Sequence, residues 1–185
     1  MRILQWLFIA CASATLLVTG CATAPKSQAD REILQQEADL TIQKFKTADA
    51  DLKQFFDHAA GYAVFPSIGK GAWFVGGAYG RGMLYERGTL GAKTTGYVDV
   101  TQGSLGLQWG GQTYSQIVFL ETKEAVENFK SGSVKFSAAI SAVAARAGAA
   151  KQAKYQDNVA VFTLGQAGLM IEGSVGGQGF GFRPK

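Results

Sequence analysis

The side chain best suited to chemistry is the thiol of Cys21. Leu17, Val18, Thr19 and Gly20 precede it, and residues 3–18 form a mostly apolar run behind a single cation, Arg2. A short positive start, an apolar stretch of secretory length and small residues before a cysteine have the form of a bacterial lipobox. The chemistry expected there is lipidation. The thiol takes a diacylglyceryl group, cleavage makes Cys21 the new N-terminus, and palmitate is the expected acyl class. One acyl chain holds a membrane only marginally, at about 0.8 kcal/mol per buried CH₂, whereas two or three anchor stably. The plainer reading is an ordinary signal peptide with a chance cysteine. Ala22, standing where an inner-membrane retention signal carries Asp, points to outer-membrane sorting. Cys11 leaves with the signal, so no disulfide is expected within the mature chain.

The other candidate groups argue against catalysis. Gly69 and Lys70 do not form a phosphate-binding P-loop, because Val64 replaces its first glycine and Gly71 its Ser or Thr. Gly77, Gly80 and Gly82 reverse the dinucleotide spacing, with no helix expected after them. His58, the one histidine, follows Asp57 at an expected helix end, where a capping or surface role fits better than a general base. No histidine-rich metal site and no Gly-x-Ser-x-Gly elbow is available. Asp99 and Glu172 fall within expected strands, and a solvent-facing position is expected for both. The expectation is a protein that is not an enzyme and needs no cofactor or metal.

The chain has 185 residues, 47% of them apolar, with 24 glycines and 3 prolines, which suits one core and a sheet with tight turns. The formal charge of +4 becomes +3 once residues 1–20, whose one charge is Arg2, are removed. That favours an anionic surface and does not argue for nucleic acid. Residues 1–20 are read as the signal peptide, 21–28 as a lipidated tether containing Pro25, and 29–185 as a single domain.

Residues 29–60 carry helical spacing. Asp30 and Glu32 suit a helix start, Ile33, Leu34, Ala38, Ile42 and Phe45 form a stripe, and a break at residues 47–50 precedes a short helix with Leu52, Phe55, Phe56 and Ala59. Both are expected to cover one sheet face. Residues 61–82 follow, and Pro66 is expected to end the first apolar run, leaving residues 67–71 as a turn with Lys70 at its tip. Across residues 73–80, Trp73, Val75, Gly77 and Tyr79 alternate with Phe74, Gly76, Ala78 and Gly80, bulky against bare. Further strands are expected at 83–86, 96–102, 104–109, 116–121, 134–144, 158–164, 168–175 and 179–182, with helix competing from Ala138 onward. Arg87, Gly88 and Gly91 mark a turn, Thr122 an N-cap for a helix through Phe129, and residues 146–157 an exposed loop. The fold class is α+β: N-terminal helices on a glycine-rich, largely antiparallel sheet, strongly curved or barrel-like.

Several stretches in order carry a family resemblance: residues 61–66 (GYAVFP), 69–71 (GKG), 75–82 (VGGAYGRG), 103–112 (GSLGLQWGGQ), 118–120 (VFL) and 168–173 (GLMIEG). From about Ile33 onward the chain resembles the SYLF family. The resemblance implies a phosphoinositide- or lipid-binding domain. Eukaryotic members pair it with an SH3 domain and regulate cortical actin, whereas bacterial members are stand-alone secreted proteins or lipoproteins. No SH3 domain is expected here, and the actin role does not carry over to a cell envelope.

The candidate lipid-binding cations are Lys70, Arg81, Arg87, Lys93, Arg146, Lys151 and Lys154. Near an anionic membrane such groups contribute on the order of 1 kcal/mol each. The leading expectation is a lipoprotein of the outer membrane that recognises anionic head groups. A structural lipoprotein docking an envelope protein, and a closed β-structure holding an apolar ligand, are the alternatives.

Overall fold

The computed structural model describes residues 25, 27–73, 75–104, 112–133, 141–165, 173–174 and 177–185. Helix α1, Gln28–Ala48, starts at a capping box: Ser27 Oγ accepts from the Asp30 amide at 3.0 Å, and the Asp30 carboxylate accepts from the Ser27 amide at 3.3 Å. It buries Leu34, Ala38, Thr41 and Phe45, while Ile33 faces solvent. A 3₁₀ turn, Ala50–Leu52, leads into α2, Lys53–His58. Four long strands follow, β1 (Gly61–Trp73), β2 (Val75–Gly88), β3 (Gly91–Ser104) and β4 (Gln112–Leu120). Helix α3, Lys123–Lys130, is capped by the Thr122 hydroxyl as expected. Strand β5 (Ser141–Ala144), the single turn α4 (Ala149–Gln152), β6 (Val159–Gly165), β7 (Gly173–Ser174) and β8 (Gln178–Pro184) complete the described chain.

All eight strands form one sheet in the order β7-β5-β6-β4-β1-β2-β3-β8. Every pairing is antiparallel except β5 with β6. The sheet curls so far that β8 meets strands it does not pair with. Phe180 lies 5.9 Å from Phe65 of β1, and Gln116 of β4 donates to Gln178 at 3.0 Å. The barrel-like alternative is not found. β7 and β8 are the two edges, and no pairing joins them among the described residues. The inside of the curl is packed with Phe65, Ile68, Val98, Val118, Phe129 and Phe180, so the described interior is a core and not a ligand lumen.

Helices α1 and α2 pack on the outer face over Tyr62, Val64, Met83, Tyr85, Ile117 and Phe119. The Tyr85 hydroxyl donates to Asp39 at 2.9 Å and accepts from Gln35 at 2.9 Å, pinning α1 to the sheet. The helices are therefore not only N-terminal. α3 seals the inner face, where Lys130 binds Glu86 at 2.8 Å. Burial alone would raise the Glu86 pKa, but the bonds from Lys130 and Thr95 outweigh it and hold the carboxyl below the ordinary glutamate range.

Several expectations are corrected. β1 continues through Pro66 across a bulge, where its register shifts against both β2 and β4. A bulge is where a strand tolerates a residue without an amide hydrogen. Lys70 is thus a strand residue paired with Ala78 and Gln112, not the tip of a turn. The hairpin instead closes between Trp73 and Val75, so the alternation read across 73–80 belongs to two strands. β2 runs on through Gly88, and only Thr89 and Leu90 lie between it and Gly91. The 146–157 segment is not simply a loop, since it holds α4 with Ala150 fully buried. Strands expected at 104–109, 134–140 and 168–172 fall outside the described residues, apart from Ser104, which ends β3.

Candidate functional site

Among the described residues no three His, Cys, Asp or Glu side chains group as metal ligands. A cleft of about 320 Å³ opens beside β5, β6 and the segment after α4, lined by Val143, Ala153, Lys154, Gln156, Val159 and Val161 among others. Lys154 is the one titratable side chain among its described lining residues, so acid and base groups do not meet there. His58 is exposed at the end of α2, its Nδ1 2.7 Å from the Gln54 carbonyl, as a terminal helix residue would be.

The candidate cations divide into separate places. Arg87 holds the carbonyl end of α2, with Nε donating to Ala59 at 3.0 Å and Nη2 to Phe56. That suits a cation against the negative end of a helix. Lys93 pairs in register with Glu86, the partner of Lys130 on α3, and so belongs to the face opposite Arg87's helices. Arg146, Lys151 and Lys154 are exposed on the segment around α4. Cys21 lies outside the described residues, as does the Lys70 side chain.

The α4 segment is fixed by a residue a hundred positions away. Asp49, 1% exposed, accepts from the amides of Asp51 at 3.1 Å, Gly148 at 3.2 Å and Ala150 at 2.7 Å. Gly148 takes φ +80° to turn the chain into α4, a conformation glycine adopts without strain. Asp49→Ala leaves these donors without their acceptor and is expected to destabilise the fold by about 3 kcal/mol. Urea unfolding checks this, and a loss under about 1 kcal/mol would contradict the role given to the carboxylate.

Arg81 stands apart from the others, on the half of the outer face that α1 leaves uncovered. Two rows of that face run straight across the sheet. Ser67, Arg81, Asp99 and Gly181 form one, and Thr113, Gly69, Tyr79, Thr101 and Gly179 the next. Asp99 is half-buried, not freely solvent-facing. Its Oδ1 is shut off from water without a hydrogen-bond partner, lying where a side chain on Gly181 would go. In the adjoining row Arg183 pairs with Tyr97, and the Arg31 guanidinium of α1 sits 5.9 Å over the same ring. Arg31 and Arg183 were not singled out from sequence. The alternation of Gly179, Gly181 and Arg183 against Phe180 and Phe182 is the signal that separates the faces.

Comparison with known proteins agrees with the glycine-rich motifs. Residues 101–185 match the family model described as Ysc84, Las17-binding protein actin regulator. The chain is also 27% identical over 154 residues to Beta cell expansion factor A of Aeromonas veronii, covering 83% of this chain and 58% of that protein. It therefore spans less than two thirds of the length of that curated relative. The match over residues 101–185 makes that part of the chain similar to the Ysc84, or SYLF, family, the same resemblance that the glycine-rich motifs carry.

Proposed function

We propose that this protein is a lipoprotein of the bacterial cell envelope, moored at the outer membrane through acylated Cys21, whose SYLF domain binds anionic lipid head groups and catalyses no reaction. The observation that supports this most directly is the exposed, rigidly mounted cation Arg81, on a strand paired on both sides and outside every ion pair found among the described residues. The exposed Arg146, Lys151 and Lys154 add a second cationic surface. No helix among the described residues is long and apolar enough to cross a membrane.

Co-sedimentation of residues 22–185 with vesicles tests the reading. Binding to anionic vesicles is expected to exceed binding to neutral ones several-fold and to fall as salt screens the charges. Equal binding to both would reject it. The family description as Las17-binding favours a second reading, in which the uncovered sheet face docks an envelope protein. Stoichiometric cross-linking to one such protein, with no lipid preference, would decide for it.

A further inference from the structure

We infer that the uncovered half of the outer sheet face, carrying Arg81, Arg183 and Tyr79 beside Arg31 of α1, is the surface that lies on the anionic bilayer. The inference rests on the acylation of Cys21 proposed above and adds which side of the domain the anchor turns downward.

Tether length sets the first constraint. Roughly six peptide steps separate Cys21 from Ser27, a reach of at most about 22 Å. From Ser27 onward the capping box fixes the chain as helix. The root of the tether is therefore the N-terminal turn of α1, and Arg31 over Tyr97 places that turn against β3, beside Arg183 of β8. The 21 residues of α1 span about 31 Å. Asp49, just past its far end, is what holds α4. The surface bearing Arg146, Lys151 and Lys154 is thus about a helix length from the root of the tether, further than the tether reaches.

Surface chemistry agrees with this geometry. Arg31, Arg81 and Arg183 are exposed, and none makes an ion pair among the described residues. Asp99 is the one acid in the two rows described, and its Oδ1 is turned against the Gly181 backbone. Tyr79 is 43% exposed, an amphipathic ring beside cations of the kind that settles at head-group level. The positions around them are Ser67, Gly69, Thr101, Thr113, Gly179 and Gly181, too short to hold a flat bilayer away from guanidinium groups. Lipid phosphates are the expected acceptors, because guanidinium pairs bidentately with phosphate oxygens.

The test uses the mature acylated protein in vesicles of phosphatidylglycerol and phosphatidylethanolamine containing a head-group-labelled quencher lipid. With the Cys21 thiol blocked by its lipid, Thr101→Cys and Lys151→Cys each offer one free thiol for a fluorophore. Quenching at position 101 is expected to exceed that at 151 at least twofold, and the Arg81→Gln, Arg183→Gln double substitution is expected to narrow the gap. Equal or reversed quenching, on protein whose mass shows the acyl chains, overturns the assigned face and leaves the anchoring intact. Absence of the acyl mass overturns both. A gap that persists unchanged in phosphatidylcholine vesicles overturns the role given to the arginines.

Discussion

Gly82→Ala is expected to destabilise the domain by at least about 3 kcal/mol, or to prevent folding. A Cβ at this position would stand 2.1 Å from the Val64 carbonyl oxygen and 2.9 Å from Phe65 Cδ1. Neither neighbour can give way. Val64 and Phe65 lie on the central strand β1, bonded to β2 on one side and β4 on the other, immediately before the bulge at Pro66. Overpacking a core side chain typically costs 1–3 kcal/mol, and a clash with paired backbone lies at or above the top of that range. Gly69→Ala on β1 is the control, since a Cβ there meets nothing within 4 Å. That substitution is expected to be neutral or to stabilise by up to about 1 kcal/mol, because alanine has less chain entropy to lose. Urea unfolding separates the two, with Gly82→Ala shifting the midpoint by on the order of 1–2 M. Equal midpoints would mean that the bare side of β2 is not there to admit the bulge.

That contrast also shows what the sequence could reveal. Local chemistry was readable: the α1 stripe, the break near residue 48, the Thr122 cap and the strand β4, whose residues Tyr114 to Leu120 are all buried. Each depends on residues within a few positions of one another. Pro66 was misread because its missing donor ends a strand only when the strand must keep its register. Here a bulge absorbs it, and the Ser115 hydroxyl donates to the Pro66 carbonyl at 2.7 Å. The hairpin after Trp73 was hidden because glycine alternation looks the same through one strand or across two. α4 was missed because its fixing carboxylate, Asp49, is about a hundred residues upstream. The cations had the same difficulty. Their spacing does not say that Arg87 caps a helix, that Lys93 faces the side of α3, or that Arg81 and Arg183 share a face. Those facts follow from cross-strand register and long-range hydrogen bonds, which spacing along the chain does not fix.

The second large effect is expected from Phe119→Ala, at about 4 kcal/mol. Phe119 is fully buried on β4, and its ring lies 4.9 Å from Phe56, 5.4 Å from Phe55, 5.8 Å from Phe162 and 5.9 Å from Tyr62. One side chain thus joins α2 to three adjacent strands, β1, β4 and β6. Removing a buried phenylalanine typically costs 3–5 kcal/mol, and the aromatic contacts add to its transfer energy. For a domain of this size the melting temperature should fall by roughly 10 °C. Leu90→Ala serves as control, since Leu90 is 88% exposed in the β2–β3 turn and its truncation should change little. A drop no larger than that of Leu90→Ala would show that the helices are not held by this cluster. The consequence extends to the membrane. The same outer-face core carries α1, whose first turn is the root of the proposed tether, so a domain that loses its helix-to-sheet packing also loses the rigid link that turns Arg81 and Arg183 toward the lipid.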